Sequence, residues 1–210
     1  MLIDTERGMM AQRGRPRNFN RTHALDRALM AFWQNGFEAT SMHNLVEAMQ
    51  INSPSIYAAF GSKEALFAET IDYYREAYAR QLLQSLNDAP DAASGIEAMF
   101  EAAIELFTHQ DTPGGCFVVN SVASNAPRGL ELEQVLTRLR WQRSEQIAER
   151  LKTDVRAGKL RDDTPVQDLS DLYAVLLQGL AQAARDGLGK TRLMRLCEHS
   201  RHLILPWRMN

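Results

Sequence analysis

Residues 40–67, T-S-M-H-N-L-V-E-A-M-Q-I-N-S-P-S-I-Y-A-A-F-G-S-K-E-A-L-F, read as two short helices joined by a tight turn and followed by the start of a third. Thr40 or Ser41 is placed to cap a helix whose apolar residues Met42, Leu45, Val46 and Met49 recur at i, i+3, i+4 and i+7, one buried stripe. Gln50, Ile51 and Asn52 break that period. Ser53 then offers an N-cap oxygen, and Pro54 follows as the residue whose locked φ suits a first helical turn. In this second helix Ile56 and Phe60 lie four apart and pack back on the first, which leaves Ser53, Ser55, Tyr57 and Ala58 on the outward face. Small polar groups and one tyrosine suit a nucleic-acid groove. Gly61 closes the helix and Ser62 caps the next, so Lys63 sits beside unpaired N–H groups where a phosphate could be held. The apolar stripes alone are equally those of a helical hairpin with no nucleic-acid role.

Residue identities separate the two readings. Ile51 to Phe60, followed by the Lys63-Glu64 pair, resembles the DNA-binding domain of the TetR family of transcriptional regulators, with its run of Gly, Val, Ser, x, Gly, x, Leu, Tyr, x, His, Phe and then Lys-Glu. Gly36-Phe37-Glu38-Ala39-Thr40-Ser41 is similar to that family's exit from its first helix. The chain departs from the pattern at Gln50 and Pro54, which stand where glycines are usual, and at Ala59, which stands for a frequent histidine. Gln50 must therefore tolerate a backbone that glycine relaxes, whereas Pro54 is compatible with a helix start. Contacts of the missing histidine do not carry over.

Charge distribution fits the resemblance better than net charge does. The chain has 210 residues, 45% of them apolar, and a formal charge of −2, which by itself does not call for a nucleic-acid partner. Residues 7–63, however, hold seven basic side chains (Arg7, Arg13, Arg15, Arg17, Arg21, Arg27 and Lys63) against Asp26, Glu38 and Glu47, a net of +4. A basic front on an acidic body is expected of a DNA binder with a separate regulatory part. The first 20 residues are polar, and Arg13-Gly14-Arg15-Pro16-Arg17 is a proline-stiffened basic arm. It is suited either to a narrow A-T minor groove or to plain phosphate contacts.

The rest of the chain reads as helices throughout. Leu25, Ala28, Leu29 and Phe32 form one stripe over 22–35, ended by Gly36; a fourth helix is expected from Ser62 into the eighties. Helical periods follow over 94–109, 116–124, 130–156, from Thr164-Pro165 onward, and beyond Gly187-Leu188-Gly189. The expected fold is all-α with about nine helices: a flexible basic arm at 1–20, a helix-turn-helix domain at 21–67 with its reading unit at 41–60, and a larger body at 68–210. Two distant cysteines, Cys116 and Cys197, suggest neither a disulfide framework nor a zinc site and fit a reduced, cytoplasmic protein. No apolar run reaches the roughly 20 residues of a membrane span, and no signal peptide is evident. No cofactor, phosphate-loop or catalytic motif is found, so an enzyme is not expected. Cys197, His199 and His202 fall within six residues but do not share one helix face, so no metal is expected there.

Gly114-Gly115-Cys116-Phe117 is also similar to TetR regulators. The resemblance implies a homodimer formed by the helices at about 164–186 and 190–205, and a small-molecule effector held in the body. Candidate pocket walls are Met99, Phe100, Ala103, Phe107, Cys116, Phe117, Trp141, Leu172, Tyr173 and Leu176, residues that an ordinary core would equally use. Few charges fall on these stripes, which points to an apolar or aromatic effector. Cys116 at a helix start suits a thiol modified by an electrophile or oxidant, or else a small buried residue. The function implied is a dimeric, ligand-responsive repressor on a palindromic double-stranded DNA operator. On it the segment from Ser53 to Tyr57 enters the major groove; Arg13, Arg15, Arg17, Thr40, Ser41, Tyr57 and Lys63 hold phosphates or the minor groove, while Pro54 and Ser55 approach base edges. The alternative is a helical small-molecule or redox sensor that acts through protein contacts.

Overall fold

The computed structural model describes residues 19–121 and 131–209, with the backbone alone for 131–133; Arg13, Arg15 and Arg17 and the 122–130 connection lie outside the described residues. Within them the chain is all-α. The head comprises α1 (Arg21–Ala39), α2 (Met42–Met49) and α3 (Ser53–Phe60). It continues through α4 (Lys63–Ala77) and α5 (Arg80–Asp88) into α6 (Ala92–Phe107), the short α7 (Phe117–Asn120), α8 (Glu131–Arg156), α9 (Val166–Arg185) and α10 (Lys190–Ser200). Two 3-10 turns, Arg201–Leu203 and Leu205–Trp207, follow, and an isolated antiparallel bridge joins Leu160 to Arg208. No described helix is long and apolar enough to cross a membrane.

Local chemistry sets most helix starts. Asn20 caps α1 by accepting from the His23 N–H at 3.0 Å, Ser62 caps α4 through Ala65, and Asp91 caps α6 through Ser94. The Asp91 carboxyl is held below its usual range, first by that backbone hydrogen bond. Gly36, at φ 78°, breaks the regular path of α1 three residues beyond the fully buried Trp33.

The single helix expected over 62–86 is two. Tyr78 leaves the helical path, and the N–H groups of both Tyr78 and Ala79 donate to the Tyr74 carbonyl at 3.0 Å. The cause is tertiary: the Tyr78 hydroxyl donates to Asp26 on α1 at 2.7 Å, and its ring packs against Trp33 and Tyr74. This anchor raises the helix number among the described residues to ten.

Two apolar clusters organise the molecule. In the body, α6 is central: Ile96, Met99, Phe100, Ala103, Ile104 and Phe107 are all buried and meet α5, α8, α9 and α10. The head cluster is built on Leu29, Phe32, Trp33, Leu45, Ile56 and Phe67, yet it also takes in Tyr74, Phe117, Val118 and Leu136. Residue 67, the expected domain boundary, therefore falls inside one packed cluster. Each such side chain contributes roughly 1.5–3 kcal/mol when fully buried, so the head is seated firmly on the body. A buried ion pair between Arg150 and Asp154, 3.3 Å apart, is completed by hydrogen bonds from the Ala92 N–H to Asp154 and from Arg150 to the Ala89 carbonyl, and it ties α8 to the start of α6.

Candidate nucleic-acid interface and ligand cavity

The α2–α3 turn works because Gln50 adopts the left-handed conformation, φ 58° and ψ 34°, with its N–H donating to the Val46 carbonyl at 2.9 Å. It is the sole non-glycine with positive φ among the described residues, a strain of order 1 kcal/mol that glycine avoids. Asn52, not Ser53, caps α3: its side chain accepts from the Ser55 N–H at 2.9 Å, which puts Ser53 and Pro54 inside the first turn. The expected Ser53 cap is thus moved one residue earlier, to Asn52. Ile56 and Phe60 are buried against the head, as their spacing predicts, and they turn Tyr57 outward, 47% exposed. Pro54 and Ala58 share that exposed surface, with Ser53 and Ser55 half-buried beside it.

Ser41 caps α2 in a reciprocal box with Asn44, accepting from the Asn44 N–H at 3.1 Å while its own N–H donates to Asn44 Oδ1 at 2.9 Å. Thr40 needs correction as a phosphate ligand. Its side chain is fully buried and its hydroxyl donates to the Gly36 carbonyl at 2.6 Å, closing the bend after α1. Lys63 begins α4, half-buried, with its ammonium 4.4 Å from the centre of the Phe37 ring. Arg21 does not belong to the free basic surface: it grips Glu69 with two hydrogen bonds of 2.7 and 2.8 Å and lies 4.5 Å over Phe60, binding α1, α3 and α4 together. Exposed His43, Asn44 and Asn52 share the outer surface of α2 and the turn. The candidate residues of 40–63 omitted them, although Asn52 stood at a readable capping position.

A second site lies in the body. A cavity of about 170 Å³, partly open to solvent, is lined by α4, α5, the end of α6, α7, α8 and α9. Of the ten candidate walls, it takes only Phe107 and Cys116. Met99, Phe100, Ala103 and Tyr173 are buried in the body core instead, and Phe117 in the head cluster. Trp141 and Leu172 face outward at 47% and 41% exposure, and Leu176 packs at the edge of the core. The buried stripe of α9 runs through Leu169, Tyr173, Leu177 and Leu180, which turns the candidate walls Leu172 and Leu176 away from the cavity. The actual walls mix Leu82, Leu83, Val119, Leu139 and Leu177 with Arg75, Arg80, Arg140 and Arg143, which departs from the expectation of a lining with few charges. A signal was present: Leu136, Arg140, Arg143, Ile147 and Leu151 follow i, i+4, i+7, i+11 and i+15, two arginines set into a buried helical stripe.

Cys116 is half-buried at the cavity edge, and the Tyr74 hydroxyl donates to its Sγ at 3.4 Å. The helix it precedes has only four residues, so it brings little dipole to the thiol. Burial, then the neighbouring Cys116, push the Tyr74 phenol well above its ordinary pKa. Cys197 faces the body core, while His199 and His202 are exposed.

This architecture has relatives. Residues 24–70 match the family of bacterial regulatory proteins of the tetR type, and residues 92–200 match the tetracyclin repressor-like C-terminal domain. The chain is 31% identical to the HTH-type transcriptional repressor ComR of Escherichia coli (strain K12), over 93% of its own length and 94% of that protein. It is 28% identical to the repressor BdcR of the same organism, over 83% of each. Among solved structures, a cysteine-substituted form of the TetR-family regulator CifR, complexed with 26-bp double-strand operator DNA, superposes with a TM-score of 0.86 at 35% identity, covering 90% of this chain and 98% of that one. With both halves matched and a relative aligned over nearly its whole length, the chain belongs to the TetR family of bacterial transcriptional regulators, DNA-binding proteins and not enzymes.

Proposed function

We propose that this protein is a homodimeric repressor that reads a palindromic operator and is released from it by a small molecule bound in the body cavity. The observation that carries the reading is the exposed outer face of α3: Pro54 and Tyr57 stand outward on a helix whose other face, Ile56 and Phe60, is locked into the head. Pro54 and Ser55 approach base edges, with Ser53 beside them. Ser41, Tyr57, Lys63 and the arm residues Arg13, Arg15 and Arg17 hold phosphates or the minor groove. Relatives named as repressors, and the operator complex of CifR, support this assignment.

The dimer is assigned to α9 and α10, helices within about 164–186 and 190–205. Leu172, Val175 and Leu196 are 41%, 52% and 51% exposed on them, apolar surface that a second copy would cover. A two-fold dimer spaces its reading helices about one DNA turn, roughly 34 Å, apart. The cavity is walled by α4, whose first residue is Lys63, so an effector that prefers one head spacing shifts operator affinity. Footprinting the purified protein on DNA flanking its coding region tests the reading. Protection of an inverted repeat is the expected result, and binding without sequence preference would refute it.

A further inference from the structure

The cavity contains a cation that no described residue neutralises. Arg143 projects from the α8 stripe into this space, and its Nη1 is shut off from solvent without a hydrogen-bond partner. Among the described residues no carboxylate pairs with it. Glu76, the acidic residue of the lining, is taken by Arg80, and the nearby Arg75 pairs with Asp72 at 3.7 Å. Arg140 donates to Thr137 at 2.8 Å. Burial pulls the Arg143 pKa below its ordinary value, with Cys116 and Tyr74 opposing and Arg75 adding to the fall, but a guanidinium keeps its charge at neutral pH.

An unpaired buried charge is among the costliest features a fold can hold, and it is tolerable where something else brings the opposite charge. The walls around Arg143 restrict what that is. A metal cation is repelled by four arginines facing one glutamate. A wholly apolar molecule would cover Leu82, Leu83, Phe107 and Leu139 but leave Arg143 unpaired, and a small inorganic anion would do the reverse.

Resting on the reading of this cavity as the effector site, we infer that it takes an amphipathic organic anion, its acidic head on Arg143 and its carbon chain against Leu82, Leu83, Phe107 and Leu139. A carboxylate matches the planar fork of the guanidinium with two parallel hydrogen bonds.

Calorimetric titration of the full-length protein with octanoate and with the uncharged octanamide tests this. The expected pattern is a preference for octanoate of about fivefold or more in the wild type, below about twofold in Arg143→Gln and intermediate in Arg143→Lys, which keeps the charge but lacks the fork. Any other pattern, absence of octanoate binding included, overturns the inference. Operator affinity measured with each compound separates the two claims. Octanoate held through Arg143 with operator affinity unchanged leaves the anion site standing and removes the effector role. Operator release by octanamide, alike in wild type and Arg143→Gln, leaves the effector role standing and removes the anion site.

Discussion

The Arg185 guanidinium, near the end of α9, donates to the Trp33 carbonyl at 3.1 Å, and its other nitrogen donates to the Gln34 carbonyl at 2.8 Å, joining residues about 150 positions apart. The acceptors lie just before the Gly36 bend, where α1 carbonyls lose their helical partners. Trp33 answers from the same turn by donating its indole N–H to the Gly114 carbonyl at 3.1 Å. Head and body are thus held by polar bonds of fixed direction as well as by aromatic packing. Arg185→Ala is expected to cost about 1 kcal/mol and to lower the unfolding temperature by about 2–4 °C. Arg185→Lys should recover less than half, because an ammonium lacks the fork that reaches both carbonyls. Thermal unfolding of the three proteins checks this.

Gly115 has no room for a side chain. Its φ is 66°, and a Cβ there would meet the Ala181 carbonyl oxygen at 2.6 Å and the Asn120 amide nitrogen at 2.7 Å. Gly115→Ala should destabilise by at least about 2 kcal/mol. Gly114→Ala, strained in φ but with its nearest neighbour at 3.7 Å, should cost only about 1 kcal/mol. Urea unfolding midpoints order the two.

On the operator, Tyr57→Ala is expected to weaken binding while leaving the dimer intact. Lys63→Ala should weaken it across sequences and reduce the salt dependence by about one unit of slope, as loss of one phosphate contact does. Thr40→Val is the contrasting case: its buried hydroxyl bonds to Gly36, so stability falls by about 1 kcal/mol with the salt slope unchanged. Fluorescence anisotropy across a salt series distinguishes the three, and full affinity in both Tyr57→Ala and Lys63→Ala would remove the groove assignment.

Charging the outward face of α9 should prevent assembly. Leu172→Asp combined with Val175→Asp places two carboxylates in the surface proposed to pair, which costs several kcal/mol when buried unpaired. Sedimentation velocity is expected to show a folded monomer with much weaker operator binding. A dimer that survives both changes would move the interface elsewhere.

The two thiols should differ in reach. Cys197 is 3% exposed, and burial pushes its pKa up to about 11, leaving about one thiolate in a thousand at pH 8. Cys116 is half-buried at the cavity edge. Intact-mass spectrometry after brief maleimide treatment should find one adduct in the native protein, at Cys116, and two after unfolding. Operator binding of the labelled protein then tests whether modification at the cavity edge regulates it.

What the sequence determined by itself was everything that depends on near neighbours. The α2 stripe of Leu45 and Met49, a cap at Thr40 or Ser41, the Ser62 cap and Pro54 in the first turn of α3 are relations within a few residues, so period and capping chemistry specify them. The family resemblance rested on the same local run. Tertiary structure decided which of several allowed faces each helix buries. Leu172 and Tyr173 are adjacent in sequence, yet one faces solvent and the other the core, because α9 is rotated by its packing on α6 and α8. Thr40 became a buried brace because the chain turns back on α1, and α4 parted from α5 because Asp26, 52 residues away, holds Tyr78. The cavity, with an Arg143 that no described carboxylate pairs, arises only where six helices converge, and no window of sequence contains that meeting.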